Sequence, residues 1–108
     1  MYNMDEIEQA SLQIVATQLE IENEILKHSS DEEKFEALAK YVEYLIDYDF
    51  AKLINILYRM DVSEEKIKEG LKWNKDGLSS GYVMAKLMIE RGIQTAKTRA
   101  AYKKRNDL

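Results

Sequence analysis

The chain contains no cysteine and no proline, and only four glycines and one histidine among 108 residues. The missing cysteines exclude a disulfide framework, a thiolate-bound zinc or iron–sulfur site, and thiol catalysis. His28, standing alone, excludes any site built on two or more histidines of one chain. At average usage a chain this long would carry roughly eight glycines and five prolines. A shortage of both helix-breaking residues predicts an almost wholly helical protein. No stretch approaches about 18 uninterrupted apolar residues, so no membrane-spanning helix is predicted. The opening Met1-Tyr2-Asn3-Met4-Asp5-Glu6 lacks the basic and then apolar pattern of a secretory leader. The resulting expectation is a cytoplasmic protein with no membrane partner.

What is present fits one domain: 33% charged and 45% hydrophobic residues over a length typical of a single core. The net charge of −4 hides an uneven distribution. Residues 1–50 hold 13 acids against three bases, a net −10, while residues 51–108 hold seven acids against 13 bases, a net +6. Such a chain can fold its acidic half against its basic half, pair with a second copy, or offer each face to a different partner. A polyanion is repelled by one half and attracted only by the other.

Periodicity divides the sequence into an all-α, single-domain bundle of four to five helices, over about 4–28, 31–48, 50–60, 64–75 and 80–104. In the first, Ile7, Ile14 and Ile21 form one heptad row, and Leu12, Leu19 and Leu26 a second. The two rows flank an apolar arc broad enough to touch two neighbours or to supply an oligomer seam. Ser30 with Glu33 spells a capping box, and Asp31 and Glu32 suit the positive end of a helix dipole. Residues 31–60 read either as one helix or as two, and a break or kink near Asp47–Asp49, with Asp49 as cap, is the favoured reading. Ser63 and Ser79 look like N-caps, with Val62/Ile67 and Leu78/Val83 as hydrophobic staples. Gly77 suits a left-handed C-terminal cap. The last helix is apolar on most sides from Tyr82 to Ile89, then narrows to Ile89, Ile93, Ala96 and Ala100 amid bases, which predicts a projecting or frayed end over roughly the last ten residues.

Candidate chemistry is thin. Glu20, Glu24 and His28 share one side of a continuous first helix, but no Glu-x-x-His occurs to complete a metal site. No catalytic, cofactor or metal residue is therefore predicted, and the protein reads as non-enzymatic. Asp47 and Asp49 read as turn and cap residues. Gly77-Leu78-Ser79-Ser80-Gly81 mimics a phosphate loop but lacks the preceding strand and the Lys-Ser/Thr pair. A buried Arg59 would call for a carboxylate, Asp61 or an acid of the first half, and reads as an architectural ion pair ahead of a ligand site. The basic end of the last helix carries Arg91, Lys97, Arg99, Lys103, Lys104 and Arg105 around Tyr102. Those bases can meet an acidic protein or phosphates. A helix-turn-helix would need base-reading side chains where Tyr82-Val83-Met84 stand.

The segments Asp49-Phe50, Leu53, Ile56-Leu57-Tyr58-Arg59-Met60-Asp61-Val62-Ser63-Glu64-Glu65-Lys66 and Met88-Ile89-Glu90-Arg91 resemble a group of small, uncharacterised bacterial all-helical proteins. The resemblance spans roughly residues 45–105. It implies a cytoplasmic helical domain and carries over no activity. Taken together, the sequence points to a protein-interaction module, self-associating as a homodimer or serving as a small adaptor. The alternative is a nucleic-acid-associated module using the basic helix. The surfaces expected to bind are the basic end and the Ile7, Ile14 and Ile21 row.

Overall fold

Five of the six helices among the described residues begin at a short polar side chain that accepts a free backbone N–H, whereas the short second one starts at Ile21 with no side-chain cap. The computed structural model describes residues 3–72 and 77–106. Among them six α-helices follow in order: α1 (Glu6–Gln18), α2 (Glu22–Leu26), α3 (Asp31–Tyr48), α4 (Phe50–Arg59), α5 (Glu64–Lys72) and α6 (Ser80–Asn106). Asp5 opens α1 with a full reciprocal capping box to Glu8. Ser30 accepts the Glu33 N–H at 3.1 Å, as its spacing predicts. The Glu33 carboxylate, however, takes up the Ser29 and Ser30 hydroxyls. Asp49 accepts the Lys52 N–H at 3.3 Å, so residues 31–60 form two helices. Ser63 and Ser79 cap α5 and α6 through the N–H groups of Lys66 and Tyr82. The end expected for α5 near residue 75 lies outside the described residues. Gly77 has φ +66°, the left-handed conformation its position calls for.

The single first helix expected over 4–28 is two. Glu20 adopts φ +60°; its N–H bonds to the Thr17 carbonyl while the Ile21 N–H reaches back to Ala16. These two bonds close the last turn of α1 without a glycine. Met60–Val62 repeats the arrangement at the end of α4. Asp61 has φ +59°, its N–H bonds to Tyr58 and the Val62 N–H to Leu57. In both turns an apolar residue follows the left-handed acid and packs into the core, Ile21 buried and Val62 half-buried. Burial of that apolar residue offsets a conformational cost of about 1–2 kcal/mol for a side chain in this region.

The helices gather around α6, which packs along both α1 and α3; α4 lies on α3, α5 on α6, and α2 against α1 and α3. Leu38, Val42 and Leu45 of α3, Leu53 and Ile56 of α4, and Met84 and Met88 of α6 are fully enclosed. Two glycines set how closely α6 can approach its neighbours. A side chain at Gly92 would overlap the Ser11 hydroxyl, and one at Gly81 would come within 2.7 Å of the Ala39 carbonyl oxygen. Ser11 is the one buried polar side chain among the described residues. It donates to the Ile89 carbonyl at 2.6 Å and so pins α1 to α6. The N-terminal segment is held to α3, where the Met4 N–H meets the Asp31 carboxylate at 2.7 Å.

Candidate interaction surfaces

On α6 the buried positions run 81, 84, 85, 88, 89, 92 and 96, one face of a helix, and then stop. Every residue from Lys97 to Lys104 is exposed. The helix persists there because alanine, lysine and arginine are strong helix formers. The Thr98 hydroxyl donates to the Gln94 carbonyl at 3.0 Å within the same stretch. Bases gathered near a helix C-terminus also meet the negative end of its dipole. Lys97, Arg99, Lys103 and Lys104 thus share one solvated segment with Tyr102, itself 66% exposed. The Arg105 side chain lies outside the described residues.

Arg91 does not belong to that segment. Its Nε donates to the Met60 carbonyl at 2.9 Å, and its Nη2 stands 3.7 Å from Asp61 Oδ2. It is half-buried and ties the end of α4 to α6. Arg59 is exposed, so it does not need the carboxylate that a buried arginine would call for. Asp61 sits one residue past the last turn of α4, where the guanidinium arriving from α6 reaches it.

The row of Ile7, Ile14 and Ile21 does not assemble as one seam. The left-handed turn at Glu20 interrupts the helix, Ile21 is buried in the core, and Ile7 and Ile14 are half-buried. The same turn separates Glu20 from Glu24 and His28. Glu24 pairs with Lys27 at 3.0 Å, and His28 Nδ1 lies 3.9 Å from Glu33 Oε2. Among the described residues no three His, Asp or Glu side chains converge as a metal site. The loop-like run ending at Gly81 is an N-cap, as its sequence context suggests. The Ser79 hydroxyl takes one free N–H, and the Glu43 carboxylate accepts that of Gly81. The anion position at the start of α6 is therefore filled by the protein's own carboxylate. Tyr82 stacks edge-on against Phe35, with centroids 5.2 Å apart, and Met84 is buried, so neither side chain is presented to a DNA groove.

Two features were missed at the sequence level. The first is a cleft of about 430 Å³ where α1, α3 and α6 meet. Its floor is Phe35, Tyr82, Ile89 and Ile93; Glu8, Glu32, Glu36 and Glu90 stand around it with one base, Lys86. Glu32 and Glu36 lie one turn apart on α3, a spacing visible in sequence. Their meeting with Glu90 depends on tertiary packing. The second is a tyrosine ladder on α3. Tyr41, Tyr44 and Tyr48 stack in succession at 6.1 and 5.0 Å. Lys52 of α4 donates to the Tyr41 hydroxyl at 3.2 Å, and that bond raises the lysine above its ordinary pKa. The i, i+3, i+7 spacing of these tyrosines is the signal that could have revealed the ladder.

No helix among the described residues is long and apolar enough to cross a membrane. No family model, curated protein or solved structure matches the chain.

Proposed function

We propose that this chain is a non-enzymatic protein-interaction module of the cytoplasm, acting as a small adaptor or by self-association, and that it docks through the exposed basic end of α6. The observation that carries this reading is the abrupt change along α6 after Ala96. Up to that residue one face is buried; beyond it Lys97, Arg99, Lys103 and Lys104 project on a continuing helix whose side chains from 97 to 104 are all exposed. A helical array of bases around a tyrosine matches an acidic protein surface in charge and offers an aromatic anchor. Phosphates would attract the same bases, but the −10 amino-terminal half opposes a polyanion.

A photo-crosslinking residue in place of Ala101, used in native cells, tests the reading. Adducts concentrated on acidic segments of protein, and lost when Lys97, Arg99, Lys103 and Lys104 are all changed to alanine, are the expected result. Adducts on nucleic acid, or adducts unchanged in the fourfold alanine variant, would overturn it.

A further inference from the structure

Resting on that reading, we propose a specific occupant for the acidic cleft between α1, α3 and α6: the basic end of α6 from a second copy of this chain. The cleft and the helix end are complementary in three respects. Glu32, Glu36 and Glu90 around the cleft face a single base, Lys86, whereas Lys97 to Lys104 contains four bases and no acid. The cleft floor is aromatic and aliphatic, through Phe35, Tyr82, Ile89 and Ile93, and the helix end carries one exposed ring, Tyr102, to lie on it. Ala100 and Ala101 keep the helix end narrow enough to approach a surface closely.

The chain cannot satisfy this complementarity by itself. Glu90 and Lys103 belong to one continuous helix, and 13 residues at 1.5 Å each set them about 20 Å apart along its axis. That separation is beyond the screening length of roughly 8 Å at physiological salt. A continuous helix also cannot turn back onto its own Tyr82–Ile93 face. A second chain can. With two α6 helices running antiparallel, each basic end lies along the other's cleft, and the exchange closes as a twofold pair in which both surfaces of both chains are used.

Light scattering behind size exclusion tests this with three proteins: the wild-type chain, a reversed cleft (Glu36→Lys with Glu90→Lys) and a reversed helix end (Lys103→Glu with Lys104→Glu). All four positions are exposed, so the folds should persist. If the reversed cleft lowers the unfolding midpoint, Glu36→Gln with Glu90→Gln makes the same comparison with no like-charge contact.

The wild type should be dimeric at high micromolar concentration, with association weakening by about tenfold or more from low to high salt. Each reversed protein alone should be monomeric. Their equimolar mixture should recover a heterodimer, because the basic cleft then meets the acidic helix end and the acidic cleft meets the basic one. A wild type that stays monomeric, or a dimer indifferent to both reversals, would overturn the proposal. The crosslinking experiment separates the two readings. Adducts on a different acidic protein, with a monomeric wild type, would remove the self-pairing alone, whereas adducts on nucleic acid would remove both.

Discussion

The two halves of α6 obey different rules although they are one helix. From Ser80 to Ala96 the sequence is constrained by packing: glycines stand where neighbours press closest, methionines fill the interior, and Arg91 is used up as a tie to α4. From Lys97 to Lys104 no side chain is buried, and intrinsic helix propensity holds the segment together. The contrast teaches that helix continuity and core membership are separate properties. A segment can be well formed and still contribute little to the fold, leaving its surface available for a partner.

Substitutions placed in the two halves sharpen the contrast. The largest effect should come from Met88→Ala, which empties a fully enclosed site and should lower stability by about 2–5 kcal/mol in urea unfolding. Lys104→Ala, in the exposed half, should stay within about 0.5 kcal/mol of the wild type. Next in size is Gly92→Ala. Alanine is about 1 kcal/mol better than glycine inside a helix, but here its methyl meets the Ser11 hydroxyl, and such overpacking costs about 1–3 kcal/mol. The net should be destabilising. In the exposed half propensity decides alone, so Ala101→Gly should fray that segment locally, by about 1 kcal/mol of helix propensity read in amide exchange, and leave the global unfolding midpoint nearly unchanged. A stabilised Gly92→Ala protein would mean that α1 and α6 are less closely packed than described.

The smallest contrast compares two bases. Arg91→Ala removes the donor to the Met60 carbonyl and should cost about 1 kcal/mol, since the group is half-exposed. Lys97→Ala should be nearly silent in stability. Equal effects at the two positions would erase the boundary drawn between them.

This boundary was partly legible in sequence. The narrowing apolar stripe after Ile89 predicted a solvated end, and the caps at Ser30, Asp49, Ser63 and Ser79 predicted where helices start, because each is a local arrangement of neighbouring residues. The turn at Glu20 was not legible. Its sequence lacks the glycine that usually marks a left-handed cap, and what holds it there is burial of Ile21, a tertiary event. Missing it made Ile7, Ile14 and Ile21 look like one seam. The partner of Asp61 was not legible for a similar reason. Sequence proximity offers Asp61 as one carboxylate for Arg59, but the approach of α6 delivers Arg91 to it. Of the candidate surfaces, the basic helix end could be read from the charge pattern alone. The cleft could not, since its acids come from three helices distant in sequence.

The most direct test of the account is removal of residues 97–108, read by urea unfolding in dilute protein and high salt and by light scattering at low salt. The unfolding midpoint should stay close to that of the full chain while the dimer is lost, because this segment binds but does not build the core. A large fall in the midpoint, or a dimer that survives the truncation, would contradict it.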